Sequence, residues 1–252
     1  MKNYAELLRK VLHEGHSVPD RTGTGTQELF GERLKFDLRD GFPLLTGKKT
    51  SFDIVKKELR WMLSGSTNTN DLDCGIWDQW GAEDGDLGLI YGFQWRMLEV
   101  DQIVRLMVGL EEDPHSRRHI VSAWNVDQLD KMALAPCHAF FQVNVSGGVV
   151  NLQMYQRSAD LFIGVPYNIS FYALLLELIA FELGLIAGEL IITLGSAHIY
   201  DNHIEQVVEY LSRGRHPLGT LTVRESDICS ASFDVLLEGY KCGAKIPAPV
   251  AV

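Results

Sequence analysis

The sequence is poor in cysteine and proline and has no excess of positive charge. Its 252 residues include 4 cysteines and 8 prolines, and 33 acidic against 23 basic residues give a net charge of −10. The few cysteines cannot form a disulfide scaffold, and their spacing fits no zinc pattern, so no metal is expected. This charge argues against a nucleic-acid partner and leaves any bound phosphate to a few arginines.

Long apolar runs are also scarce. The most apolar stretch, residues 169–187, contains Glu177 and Glu182, which favours a buried core helix over a membrane span. The first residues carry charges within their apolar run and show no small-residue cleavage site, so a signal peptide is not expected. Together with the sparse cysteines, these features predict a cytoplasmic protein with no membrane partner.

The order of predicted elements indicates an α+β protein. No repeat and no Pro/Gly/Ser-rich linker divides the chain, so residues 1–252 are predicted to form a single domain. Helical spacing predicts helices over residues 4–12, 51–63, 101–110, 169–183 and 203–212, with Ser51 as the N-cap of the second. Strands are predicted over residues 29–38, 120–124, 139–145, 149–155 and 190–194, and Ser-Gly-Gly at 146–148 indicates a hairpin turn. Because helices and strands do not alternate strictly, a doubly wound fold is disfavoured.

Cys137 is the strongest candidate for a nucleophile. It follows Pro136, at the point where a loop enters a predicted strand, whereas the other three cysteines fit a role as small buried hydrophobes. A reactive thiolate needs cationic neighbours. His138 cannot be assumed to supply the charge, since successive side chains of a strand point to opposite faces.

Other polar and aromatic residues could build a site for an anionic, flat ligand. Each arginine taken singly fits a solvated surface position, but together Arg21, Arg117, Arg118 and Arg157 could form a phosphate site. Three aromatic residues, Trp77, Trp80 and Tyr91, could stack on a flat ring or pack in the core, whereas Trp95 is predicted to pack in the core. Polar groups that could hydrogen-bond a ligand are Asn168, His198 and Tyr200.

The chain resembles the thymidylate synthase family over nearly its whole length. The resemblance is carried by runs such as Asp-Arg-Thr-Gly-Thr-Gly-Thr at 20–26, Ile-Trp-Asp at 76–78, Ser-Arg-Arg at 116–118 and Tyr-Gln-Arg-Ser at 155–158. The most specific run is Leu-Asp-Lys-Met-Ala-Leu-Ala-Pro-Cys-His-Ala-Phe-Phe-Gln at 129–142. The resemblance implies an α+β fold whose mixed sheet packs face to face across a homodimer. It also implies conversion of dUMP to dTMP with 5,10-methylenetetrahydrofolate as cosubstrate.

The same resemblance implies a role for each matching residue. Cys137 would attack C6 of the uracil ring, while Glu58 and Tyr91 would transfer protons. The implied dUMP contacts are Arg21, Arg157, Ser158, Asp160, Asn168, His198 and Tyr200, with Arg117 and Arg118 reaching in from the other subunit. The implied folate contacts are Trp77, Trp80, Asp160 and Ala251. The arginines would also favour the thiolate of Cys137.

Some positions depart from the pattern of the synthases. Ser196 stands where a synthase usually has Asp, a feature shared with the related pyrimidine-nucleotide hydroxymethylases, and Ser51 replaces a folate-contacting His. A dUMP 5-hydroxymethylase, in which water rather than hydride quenches the intermediate, is therefore the alternative reaction. Trp77 and the tail from Ala248 to Val252 resemble the part of a synthase that shields the intermediate from water, and they favour methylation. A catalytically idle RNA-binding protein is a further alternative, opposed by the net charge.

Overall fold

A computed structural model describes residues 1–250 of the chain. The helices of this part are α1 (Lys2–Glu14), α2 (Phe52–Leu63), α3 (Tyr91–Arg96), α4 (Gln102–Glu112), α5 (Gly164–Glu182) and α6 (Ile204–Ser212). Its strands are β1 (His16–Val18), β2 (Thr26–Asp37), β3 (Ile120–Ser122), β4 (His138–Ser146), β5 (Val149–Asp160), β6 (Ile186–Tyr200), β7 (Thr220–Asp227) and β8 (Ser232–Glu238).

Six strands form one mixed sheet in the order β1-β2-β6-β5-β4-β3. Only β5 and β6 pair in parallel, and the other neighbours are antiparallel. The parallel pair needs a crossover connection, and α5 provides it. A separate hairpin of β7 and β8 completes the structure of residues 1–250. The α+β prediction with a mixed sheet is thus confirmed.

The long helix α5 lies in the core, against β5, β6 and α2. It is apolar on nearly all sides, and 72% of its most apolar window is buried inside the protein, although its length and composition would also suit a membrane span. A helix that is hydrophobic all round fits a core position. The predicted core helix is confirmed, but it begins at Gly164 rather than at residue 169.

Helix α2 begins at the position that the sequence predicted. The Ser51 side chain accepts a hydrogen bond from the Ile54 backbone N–H and caps α2, as its position before the apolar run indicated. One turn and a half further, α2 turns Glu58 inward, where it is buried. The cap therefore fixes the start of the helix that carries a candidate catalytic carboxyl.

Strand alternation places the polar residues of three strands on one face of the sheet. His198 lies opposite Glu28 of β2 and beside Asp160 of β5, and Ser196 lies beside Ser158. Since side chains two residues apart share a face, these residues line up at one end of the face that α5 covers. This end of the sheet forms the floor of the site.

Candidate active site

A cavity of about 580 Å³ lies between the sheet, α2, α3 and the start of α5. A volume of this order is typical of sites for small molecules. Its lining includes most of the residues singled out in the sequence, namely Arg21, Glu58, Trp77, Trp80, Tyr91, Cys137, Arg157, Ser158, Asp160, Asn168, His198 and Tyr200. Residues that are far apart in the sequence thus converge on one cavity.

The backbone around Cys137 is held from both sides. The Tyr91 hydroxyl oxygen accepts hydrogen bonds from the backbone N–H of Cys137 at 2.7 Å and of His138 at 3.2 Å. From the other side, the Arg157 backbone N–H donates to the Cys137 carbonyl at 2.8 Å. The nucleophile candidate therefore sits immediately before β4 in a backbone with little freedom to move.

Arg157 fixes the residues that precede the cysteine. Its Nε donates to the Pro136 carbonyl at 2.9 Å and its Nη2 to the Ala135 carbonyl at 2.7 Å. A guanidinium has five N–H donors, so the remaining ones are free to bind an anion. Arg157 thus links a candidate phosphate contact to the loop that carries Cys137.

Burial raises the pKa of the Cys137 thiol from its ordinary value, while the charges of Arg157 and Arg21 act to lower it. The expectation that the arginines favour the thiolate is correct in direction, but burial outweighs them. The neighbouring His138 does not help, because burial lowers its pKa to about 4 and the ring is neutral. It packs among aromatic rings that include Tyr91 and Tyr172.

Glu58 is a cavity-lining carboxyl whose pKa is suited to proton transfer near neutral pH. Burial raises the pKa of Glu58 to about 7, and a hydrogen bond from Trp77 acts in the opposite direction. The Trp77 Nε1–H donates to the Glu58 Oε1 at 2.9 Å. A catalytic acid or base works best with a pKa near the working pH. Burial of Tyr91 raises the pKa of its hydroxyl, which stays protonated.

Asn168 has its amide orientation fixed by a neighbour that the sequence analysis missed. Gln156 is buried, and its Nε2 donates to the Asn168 Oδ1 at 3.0 Å and to the Ser158 carbonyl at 3.0 Å. The hydrogen bond from Gln156 fixes which end of the Asn168 amide is the oxygen, and this Oδ1 keeps one lone pair to accept a second hydrogen bond. Alternation along β5 could have identified Gln156, because it shares a face with Ser158 and Asp160.

Arg21 lies in a loop that is organised by Asp20. The carboxylate of Asp20 accepts hydrogen bonds from the Thr22 and Gly25 backbone N–H groups and from the Thr22 hydroxyl, and these bonds lower its pKa to about 2. Gly23 and Gly25 adopt positive φ angles of 74° and 83°, which L side chains rarely adopt. The glycine-broken loop therefore presents the exposed Arg21 at the rim of the cavity.

The cavity residues Ser196, His198 and Tyr200 come from the end of β6. The Ser196 hydroxyl lies 3.1 Å from the His198 Nδ1, and burial lowers the pKa of His198, which favours the neutral ring. Glu28 also lines the cavity, opposite His198 on β2. It was missed because the strand was predicted to begin at residue 29, whereas β2 begins at Thr26.

Two of the predicted site residues are not brought to this cavity. Arg117 and Arg118 are exposed in the turn before β3 and do not line it. Ala251 lies outside the described residues. Trp95 packs in the core against Phe141 and is 1% exposed, in line with its predicted packing role. Residues 1–250 contain no group of three or more His, Cys, Asp or Glu side chains placed to hold a metal ion.

The α+β fold brings a half-buried cysteine, a carboxyl of raised pKa and two arginines to one cavity, an arrangement that suits an enzyme acting on a small anionic molecule. The thymidylate synthase family model matches residues 2–252, nearly the whole chain. The chain belongs to the thymidylate synthase family. Enzymes of this family act on dUMP and a folate, and they belong to the transferases of nucleotide biosynthesis.

Proposed function

We propose that this chain transfers the one-carbon unit of 5,10-methylenetetrahydrofolate to C5 of dUMP and reduces it to a methyl group. The products are dTMP and dihydrofolate. The observation that supports this most is the position of Cys137, held by Tyr91 and Arg157 in one cavity with Glu58 and Asn168. No metal takes part in the proposed reaction.

The proposed chemistry begins when the Cys137 Sγ adds to C6 of the uracil ring. The C5–C6 double bond then places its electron pair on C5, which forms a bond to the folate's one-carbon unit. Glu58 and Tyr91 move protons on and off the ring, and the raised pKa of Glu58 suits both directions of transfer. Loss of the C5 proton then breaks the bond between the one-carbon unit and the folate nitrogen, which releases tetrahydrofolate and leaves a methylene group on C5. Hydride transfer from tetrahydrofolate reduces this methylene to the methyl group while the Cys137 Sγ leaves C6. The products are dTMP and dihydrofolate, and the free thiol is restored.

The proposed contacts with dUMP use charged residues for the phosphate and neutral residues for the base and the sugar. Arg21 and Arg157 bind the phosphate with the Ser158 hydroxyl, and they are the cations nearest to Cys137. Asn168 reads the uracil edge. His198 and Tyr200 hydrogen-bond the deoxyribose hydroxyl at the end of β6. Trp77 and Trp80 form the apolar wall for the folate, with Asp160 at its side.

The proposed enzyme is a cytoplasmic homodimer in which Arg117 and Arg118 complete the phosphate site of the partner subunit. Both arginines are exposed and lie away from their own cavity, which supports a role outside it. The face of the sheet opposite the core carries apolar rings that a partner would cover. Phe140 stacks on Tyr155 there and is 41% exposed.

A dUMP 5-hydroxymethylase is the second candidate, and Ser196 is the observation that favours it. This side chain lines the cavity and contacts His198, so a hydroxyl stands where a synthase usually has a carboxylate. In that reaction water attacks the methylene intermediate and no dihydrofolate forms. The nucleotide contacts are the same in both reactions.

Product analysis tests the proposal. The protein is incubated with dUMP and 5,10-methylenetetrahydrofolate, and the formation of dihydrofolate is followed by absorbance. The nucleotides are then separated and identified by mass spectrometry. We expect dTMP and dihydrofolate in equal amounts from the wild type and neither from Cys137→Ser. Formation of 5-hydroxymethyl-dUMP without dihydrofolate would replace the synthase proposal with the hydroxymethylase. Unchanged dUMP would overturn both.

A further inference from the structure

His203 is a buried histidine that the proposed chemistry does not use. It ends the short turn between β6 and α6, its side chain is fully buried, and it packs against the rings of Phe162 and Tyr200. Tyr200 lines the cavity, so His203 lies directly behind the cavity wall. A buried polar ring needs a hydrogen-bond partner, and the identity of that partner indicates its role.

The partner of His203 is the backbone near the C-terminal end of the described chain. The His203 Nε2 lies 2.6 Å from the Pro249 carbonyl oxygen. Because a carbonyl oxygen only accepts, Nε2 carries the hydrogen and donates it. The other nitrogen, Nδ1, is buried without a hydrogen-bond partner among the described residues and faces the Asp160 Oδ1 at 3.9 Å. At 3.9 Å this contact is not a hydrogen bond, so the ring holds the C-terminal segment through its Nε2–H alone.

The segment of residues 245–250 has few other means of attachment. It contains Pro247 and Pro249, which have no N–H to donate. In the part of the chain that the structure describes, the bond to His203 is the one hydrogen bond of this segment. Apolar contacts come from Ile246, which is 5% exposed, and from the partly buried Ala248. Val250, next to Pro249, lines the cavity.

We propose that His203 is a positioning residue that fixes residues 245–250 against the cavity through its Nε2–H. It does not touch the substrates itself. Its effect is expected on the folate side, since it holds Pro249 and thereby Val250, which precedes the implied folate contact Ala251 in the sequence. Arg21 and Arg157, the proposed phosphate contacts, belong to other elements. The link to folate rests on the proposed function, but the attachment of the segment does not.

Two variants separate the hydrogen bond from the packing of the ring. His203→Phe keeps an aromatic ring against Phe162 and Tyr200 but has no donor, whereas His203→Gln can place an amide N–H near the position of Nε2. His216→Phe is the matched control, because His216 is exposed. The first measurement is the rate of tryptic cleavage after Lys245, read by mass spectrometry of the released peptide 246–252, since cleavage requires the buried Ile246 to leave the core.

We expect His203→Phe to be cleaved about fivefold to tenfold faster than the wild type, as suits the loss of one buried hydrogen bond. His203→Gln and His216→Phe should be cleaved at close to the wild-type rate. Equal rates for His203→Phe and the wild type would overturn the attachment, and so would a His203→Gln variant cleaved as fast as His203→Phe.

The second measurement is steady-state kinetics of the full chain. His203→Phe should raise the KM for folate by about fivefold while leaving the KM for dUMP unchanged, and His203→Gln should restore the folate KM. Equal rises in both KM values would refute the positioning role and indicate a general loss of structure. If the wild type does not turn over dUMP and folate at all, the proposed function fails, while the cleavage rates still decide whether His203 holds the segment.

Discussion

Replacing Glu58 with Gln should stabilise the protein while removing its activity. Glu58 is 8% exposed, and burial raises its pKa from 4.5 to about 7. A carboxyl whose pKa is higher in the folded state contributes stability that is fully present below the unfolded pKa. That stability is lost as the pH rises through the folded pKa. As the pH rises between these two pKa values, the free energy of unfolding of the wild type therefore falls. The neutral amide of Glu58→Gln does not titrate, so the variant does not undergo this loss.

The size of this effect follows from the same two pKa values. Their difference, from 4.5 to about 7, corresponds to an upper bound of about 3 kcal/mol at about 1.4 kcal/mol per pKa unit. Gln has nearly the same shape, and its Oε1 can still accept the hydrogen bond from Trp77. Glu58→Gln should therefore gain up to about 3 kcal/mol over the wild type at about pH 8, and little at about pH 4.

The assay is urea unfolding of both proteins at the two pH values, at one fixed protomer concentration. Turnover of Glu58→Gln should fall by at least about a hundredfold, because a proton-transfer group is lost. Glu177→Gln is the matched control. Burial also raises the pKa of Glu177 to about 7, but it lies on α5 outside the cavity lining. This control should gain stability at high pH and keep its activity.

Two results would refute this reasoning. If the stability difference between Glu58→Gln and the wild type is the same at both pH values, the pKa of Glu58 is not raised by burial in the fold. If Glu58→Gln keeps full turnover, Glu58 transfers no proton that limits the reaction.

Three further predictions concern the nucleophile, the dimer and the base. Cys137→Ser should bind dUMP in calorimetry but show no turnover, since a hydroxyl has a far higher pKa than a thiol; substantial activity in pure protein would contradict its role. A mixture of Cys137→Ser and Arg117→Glu should regain activity after subunit exchange, because a hybrid dimer contains one site with neither defect; no recovery after verified exchange would count against a shared phosphate site. Asn168→Asp should shift the ratio of kcat/KM values from dUMP towards dCMP by at least about tenfold, because mismatched buried hydrogen bonds cost roughly 1–3 kcal/mol each; an unchanged ratio would mean that Asn168 does not read the base.

The main elements of the fold could be predicted because their side-chain periodicity is regular. The apolar spacing after Ser51 and the even apolarity of α5 indicated two helices that the structure contains. The hairpin of β4 and β5 followed from its turn, with Gly147 and Gly148 at positive φ angles of 59° and 77°. Elements of weak periodicity were missed, among them the six-residue helix α3 and the hairpin of β7 and β8.

The ends of the strands were less predictable than the strands themselves. For this reason a residue that lines the cavity was missed. β6 was predicted over residues 190–194 but runs from Ile186 to Tyr200, because its last residues are polar on the cavity side and conceal the alternation. Glu28 was missed for the same reason at the start of β2. The residues that the resemblance assigned to dUMP within one subunit all line the cavity.

The electrostatic balance at Cys137 could not be predicted from the sequence. The sequence indicated arginines near the thiol but not how deeply the thiol is buried. In the fold, burial is the largest influence on the pKa of Cys137 and exceeds that of both arginines. The anchoring role proposed for His203 likewise depends on a contact between residues 46 positions apart, which no local pattern indicates.

The most direct test of this account is a covalent trap of the nucleophile. In 5-fluoro-dUMP the fluorine at C5 cannot leave as a cation, so the elimination that would release the enzyme is blocked. Wild-type protein incubated with 5-fluoro-dUMP and 5,10-methylenetetrahydrofolate is digested, and the modified peptide is identified by mass spectrometry. The account predicts one stable adduct, on Cys137, that is absent from Cys137→Ser. The absence of an adduct, or an adduct on Cys74, Cys229 or Cys242, would contradict it.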